Sequence, residues 1–255
     1  DWVQAQFGLK RASMPCQMTF CNVLNAVDTQ QVTEILADFF GRWEAQSRCG
    51  DEPSRLASLS GKQEHAHVAI DGKTLCATTR TEQTTHILSW YEVHSGRVLA
   101  QQVVAEKQNE ISAVSQMLCA KLVQGRILSA DAMHTQRAFC AQVKRLGGEY
   151  LLIAKDNQQQ TREDIADLFE DRTPDRRRWS TAQTHDKGHG RQEWRHLTCS
   201  PDLNGWFEKQ WSGIEQVFRV ERERLHTKTG KRSKEVIYGF TSLSANQASP
   251  HELLR

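Results

Sequence analysis

Apolar positions along the chain recur at two different spacings. In DTQQVTEILADFFGRW (28–43) they fall every three or four residues behind Asp28, and Gln31 stands where a capping box places its last member. That pattern predicts helix, and residues 14–46 read as a helical N-terminal segment. SRCGDEPSRLASLSGKQE (47–64) is rich in Ser, Gly, Pro and charge and predicts a linker. From residue 67 the pattern shortens to apolar blocks. HVAIDG (67–72), HILSWYEV (86–93) and RVLAQQVV (97–104) predict three strands, the last two joined by a turn at HSG. NEISAVSQMLCAKLV (109–123) sets Ile111, Val114, Leu118 and Leu122 on one helix face and stops at Gly125. RILSAD (126–131), TQRAFCAQVKRL (135–146), EYLLIAK (149–155) and TREDIADLFED (161–171) then predict strand, helix, strand and helix.

The order β-β-β-α-β-α-β-α begins as a meander and continues through crossovers to parallel strands, which predicts an α/β fold with a mixed sheet and helices on its faces. Beyond Arg172 the chain reads as strands with polar breaks: RQEWRHLTC, IEQVFRVERERL and EVIYGFTSL. Four regions follow: a helical segment and linker over 1–64, the α/β core over 65–171, a basic strand-rich insertion over 172–248, and the start of a helical part at 249–255.

Composition narrows the class. With 38% hydrophobic and 25% charged residues the chain reads as a globular protein on the polar side of average. No apolar run reaches the roughly 18 residues of a membrane span, and DWVQAQFGLK lacks the apolar stretch of a signal peptide. Seven cysteines, an odd number with no C-x-x-C spacing, argue against a disulfide framework or a zinc ribbon and for reduced thiols in the cytoplasm. The net charge of +2 is unevenly spread: Arg172–Arg195 holds seven Lys/Arg against three acids, and Arg219–Lys234 holds seven against two. Such stretches attract polyanions, nucleic acid above all, although a single basic run is equally a solvated face.

Two predicted strands run into aspartate, at Ile70-Asp71 and Ala130-Asp131. In open α/β sheets ligands gather at the carboxyl ends of strands. Two carboxylates converging there repel unless a cation lies between them, and Mg2+ is held by one or two carboxylates together with phosphate oxygens. The competing reading of Asp71-Gly72 is a two-residue hairpin turn, but the next strand begins well beyond Gly72.

The blocks AIDGKTL, EKQNEISAVSQML, SADAMHTQ, GGEYLLIAKDNQ and KGHGRQEWR, in that order, resemble bacterial insertion-sequence transposases of the H-repeat-associated (ISAs-type) group. The resemblance runs from about residue 15 to the end. It implies a DDE transposase with an RNase H-like core, whose strand order agrees with the one read above. It also implies that Asp71 and Asp131 are the first two catalytic acids and hold Mg2+ or Mn2+, two ions in a complete site. The reaction implied is cleavage of double-stranded DNA at the terminal inverted repeats of the element, followed by joining of its 3′ ends to target DNA. A homodimer on DNA and a cytoplasmic, nucleoid-associated bacterial protein complete the expectation, with no membrane partner.

The third acid of such enzymes is expected on a late helix, in a segment like Arg-x-His-Trp-x-Ile-Glu-Asn, which would fall past Arg255. Glu193 is the best substitute within the chain, against a plainer role in a salt bridge with nearby arginines. After Lys73 the sequence CATTR departs from the family, moving the adjacent cation to Arg80. Lys73, Lys155, Asn157, Arg176, Arg177, Arg178 and Arg191 are candidates for DNA contact; for Lys73 a solvated lysine, and for 155–158 a loop with no ligand, are the alternatives. His134 lies near Asp131 as a metal-site neighbour or as a helix-start residue. Trp179, Trp194, Trp206 and Trp211 stand for packing or for base stacking. Two other functions stay open: an inactive, transposase-derived protein that binds DNA or a partner, and a metal-dependent nuclease that cuts without joining.

Overall fold

The computed structural model describes residues 16–28, 31–32, 34–36, 38–39, 66–75, 85–104, 110–171, 178–188 and 190–254. The chain divides into two units, Asp1–Arg55 and Leu56–Arg255. In the first, helix α1 spans Gln17–Ala26 and ends where Val27 turns extended. Residues 31–32, 34–36 and 38–39 are helical again, and the Gln31 backbone N–H donates to Asp28 Oδ1 at 3.1 Å. The helical segment expected over 14–46 is interrupted at Val27-Asp28, and Asp28 caps the helical residues that follow, as the capping-box pattern predicts.

The described residues of the second unit are built on one nine-stranded mixed sheet. In chain order its elements are β1 (Ala66–Leu75), β2 (Thr85–Glu92), β3 (Arg97–Val104), α2 (Glu110–Met117), α3 (Ala120–Val123), β4 (Arg126–Ala130), α4 (Arg137–Arg145), β5 (Glu149–Ala154) and α5 (Gln159–Glu170). There follow β6 (Ser180–Gly188), β7 (Arg191–Ser200), α6 (Asn204–Phe207), β8 (Gln216–His226), β9 (Arg232–Thr241) and α7 (Pro250–Leu254). Across the sheet the order is β3-β2-β1-β4-β5-β9-β8-β7-β6. β1, β4 and β5 are parallel neighbours, and every other pairing is antiparallel.

Alternation along the strands sorts the side chains between the two faces. Val68, Ile70, Leu88, Trp90, Leu128, Tyr150 and Leu152 are buried with Val114 of α2, Phe139 and Val143 of α4, and Ile165 and Phe169 of α5. Leu151, of opposite parity to Tyr150 and Leu152, joins a smaller cluster with Leu197, Cys199, Phe218 and Leu254 of α7. Burial pushes the Cys140 and Cys199 thiols up to about 12, so both are protonated apolar fillers.

The described strands of residues 172–248, expected as a basic strand-rich insertion, extend the same sheet: β9, the last of them, pairs with β5 through Leu151↔Thr241 to Ala154↔Tyr238. The seam is tight. A Cβ on Gly239 would lie 2.4 Å from both the Leu152 carbonyl oxygen and Phe218 Cζ, so only glycine lets β9 approach β5 and the Phe218 ring this closely. Among the described residues no helix is long and apolar enough to cross a membrane.

Candidate functional site

The two aspartates meet through the register of one parallel pair. β1 and β4 run side by side from Ala66↔Arg126 to Ile70↔Ala130, and there the ladder stops. Asp71 and Asp131 are the next residue on each side, on backbones about 4.8 Å apart. Asp71 does not end β1: the strand continues to Leu75, with Asp71 opposite Ser89 and Leu75 opposite Thr85 of β2. What ends at Asp71 is the pairing with β4, because β4 itself stops at Ala130 while β2 goes on supplying partners. Asp71 and Gly72 pair with Ser89 and Leu88 inside the β1–β2 ladder, so Asp71-Gly72 is not a turn.

Both carboxylates face water. Asp71 is exposed and, by strand alternation, points away from the face that buries Ile70. The Asp131 side chain is 67% exposed, with Lys155 Nζ 3.6 Å from its Oδ1. The same Oδ1 accepts from the Ala132 backbone N–H at 2.7 Å and caps a 3-10 turn over Ala132–His134. Behind that turn the loop after β5 is stitched to the loop after β4. Asn157 Nδ2 donates to the Ala132 carbonyl at 2.6 Å, Gln158 Nε2 to the Thr135 carbonyl at 2.9 Å, and Thr135 Oγ1 to the Ile153 carbonyl at 2.8 Å. Asn157, a candidate for DNA contact, thus commits an amide hydrogen to holding the Asp131 turn.

As a donor set the pair suits a hard cation. Carboxylate oxygens with open solvent on one side leave the remaining positions of a Mg2+ octahedron to water or phosphate. Among the described residues no group of three or more His, Cys, Asp or Glu could hold a metal. Glu193 does not complete the set. It lies on β7, four strand positions from β4, or about 19 Å at the usual strand spacing. There it is buried and accepts from Arg195 Nε at 2.6 Å and Arg224 Nε at 2.9 Å, with Arg222 Nε at 3.5 Å. Burial alone would raise its pKa; the hydrogen bonds from Arg224 and Arg195 and the charge of Arg222 outweigh it and hold the carboxyl below the usual range.

The basic candidates divide. Lys73 is exposed on the same side of β1 as Asp71, and Arg191 is exposed at the start of β7. Arg178 is exposed, with Nη1 3.5 Å from Asp202 Oδ1. Arg176 and Arg177 lie outside the described residues. Of the tryptophans, Trp211 is buried against Phe240, Trp179 meets the edge of Phe169 and donates to Asp202, and Trp194 stacks on His185 at 4.7 Å. Trp206 is exposed and donates to Asp164 at 3.2 Å.

Sequence reasoning missed Glu110. It is the first residue of α2, and its carboxylate joins His86 Nε2 at 2.9 Å to His134 Nε2 at 3.0 Å. His134 is buried beneath the Asp131 turn. The amphipathic pattern of 109–123 marks only the apolar face of the helix, and nothing local signals an acid whose partners are each 24 residues away.

The chain resembles known proteins along most of its length. A protein described as "Uncharacterized protein in dhlA 3'region", from Xanthobacter autotrophicus, is 29% identical over 213 residues, covering 83% of this chain and 67% of that protein. The "H repeat-associated putative transposase YhhI" of Escherichia coli K12 is 29% identical over 155 residues, 59% of this chain and 41% of its own length. A second such protein of that strain, YbfD, is 29% identical over 140 residues, 53% of this chain and 55% of its own. Among solved structures, a cryo-EM structure of the piggyBac transposase synaptic complex with hairpin DNA covers 71% of this chain and 34% of its own, at TM-score 0.35 and 10% identity. Residues 62–255, which include the whole sheet and both aspartates, match the family described as Transposase DDE domain, and the chain belongs to that family.

Proposed function

We propose that the protein cleaves the ends of a mobile DNA element and transfers its 3′ ends to target DNA, with Asp71 and Asp131 as the first two acids of a DDE site. One observation carries this: both aspartates step off the same parallel ladder together, one residue past Ile70↔Ala130. The order β3-β2-β1-β4-β5 within the sheet, antiparallel across β3-β2-β1 and parallel across β1-β4-β5, supports an RNase H-like core. Divalent metal at the two carboxylates would activate water or a 3′-hydroxyl and neutralise the leaving oxygen. The chain's own work is positioning. Asn157, Gln158 and Thr135 hold the Asp131 turn, and Lys155 sits beside Asp131 where a phosphate would approach. Lys73, Arg176, Arg177, Arg178 and Arg191 supply further phosphate contacts, with two copies of the protein pairing two DNA ends. The third acid is expected on the late helical segment that the family resemblance implies.

The test is Mg2+- or Mn2+-dependent nicking and strand transfer on DNA carrying the inverted repeats that flank the gene, using the protein from its full reading frame. Asp71→Asn and Asp131→Asn should each abolish both steps; variants that cut as well as wild type would end the DDE assignment. Nicking without joining would instead mark a nuclease. A second reading, DNA binding without catalysis, draws on the described residues, which hold no group of three or more His, Cys, Asp or Glu that could bind a metal. Salt-sensitive DNA binding with no cleavage under either metal would establish it.

A further inference from the structure

Gly72 follows Asp71, and its missing side chain has a use. A Cβ there would lie 2.5 Å from Glu110 Oε1, 2.8 Å from its Cδ and 2.9 Å from its Oε2. The Glu110 carboxylate therefore lies flat against the β1 backbone, in space that only glycine leaves open. A carboxylate oxygen accepts, so each imidazole beside it presents its Nε2–H: His134 to Oε1 at 3.0 Å and His86 to Oε2 at 2.9 Å. One side chain thus ties three segments. Gly72 lies immediately after Asp71, His134 closes the turn that Asp131 caps, and His86 is the second residue of β2, opposite Thr74 of β1. Gly72 shares its parity with Ile70, so Glu110 acts from the helix-covered side while Asp71 points to the other.

We propose that Glu110 is a positioning residue: its carboxylate, seated on Gly72 and bonded to His86 and His134, sets the separation of Asp71 and Asp131 and so the affinity of the pair for a divalent cation. This rests on the reading of the two aspartates as metal ligands. The β1–β4 register ends at Ile70↔Ala130, one residue short of both aspartates, so strand pairing does not extend to the two carboxylates. The bridge through Glu110 takes over at that point.

The experiment measures Mn2+ affinity of the purified chain by calorimetry or by the electron spin resonance of free Mn2+, beside thermal unfolding without metal. Glu110→Gln keeps the volume and one acceptor oxygen, Glu110→Ala keeps neither, and Gly72→Ala displaces the carboxylate without touching it chemically. The expected result is a Mn2+ dissociation constant raised about tenfold in Glu110→Gln and in Gly72→Ala, and more in Glu110→Ala, at temperatures where each is folded. A role confined to stability would lower the unfolding temperature and leave that constant unchanged. Folded variants binding Mn2+ within twofold of wild type would overturn the proposal; should Glu110→Ala not fold, the other two decide. Asp71→Asn and Asp131→Asn separate the two levels. If they bind Mn2+ as wild type does, or if wild type takes up none, the metal reading of the aspartates fails and the proposal with it.

Discussion

Asp131 and Glu193 are both carboxylates with cations nearby, and their surroundings give them opposite tasks. Asp131 stands in water, with a single lysine at 3.6 Å and one oxygen spent on a backbone cap. Glu193 is enclosed by Arg195, Arg222 and Arg224. Its task is to balance those guanidiniums near the start of β7, where it pairs with Arg224 of β8. Because its folded pKa is depressed, the stability it supplies is complete above the ordinary glutamate value of about 4.3 and is lost as pH falls through the lower folded value. Urea unfolding should therefore show Glu193→Gln less stable than wild type by about 1–3 kcal/mol at pH 7. The gap should narrow between pH 5 and pH 3; a gap independent of pH would remove this account.

At the scale of elements, the β5–β9 contact is the least tolerant place. Gly239→Ala would drive a methyl into the Leu152 carbonyl and the Phe218 ring, and one of these is backbone that cannot swing aside. A loss of about 1–3 kcal/mol in denaturant unfolding is expected, and unchanged stability would show that the strands can part there. Local pattern disclosed the elements well wherever a single period ruled. RVLAQQVV reads as strand and forms β3 over the same eight residues. Pattern failed where tertiary partners decide the boundary. NEISAVSQMLCAKLV keeps one apolar face throughout, yet the chain breaks at Leu118-Cys119 into α2 and α3. Asp71 looked terminal because the apolar run stops there, whereas β2 carries the strand four residues further. The pairing of Asp71 with Asp131 was legible, since both follow apolar blocks; the bridge beneath them was not, because it joins residues from three separate segments.

For the molecule as a whole, charge is the property a DNA partner would meet, and the sequence overstates it. Several of the cations counted over 172–234 are held in internal ion pairs: Arg195 with Asp186 and Glu193, Arg232 with Glu223, and Arg222 and Arg224 with Glu235. Cations outside such pairs matter more for phosphate, and Lys73 and Arg191 are exposed. Replacing both by alanine should lower the slope of log affinity against log salt by about two, measured by fluorescence anisotropy on duplex DNA. An unchanged slope would place the DNA elsewhere. The β5–β9 seam also bears on how the protein is made. β5 is finished at Ala154, but the strand that covers its free edge is complete only at Thr241. At ribosomal speeds of ~5–20 residues per second the nascent chain shows a bare, apolar β5 edge for roughly 5 to 20 s. During that interval the edge is open to any passing strand, so chaperone dependence during translation should be governed by β5 and its late-arriving partner.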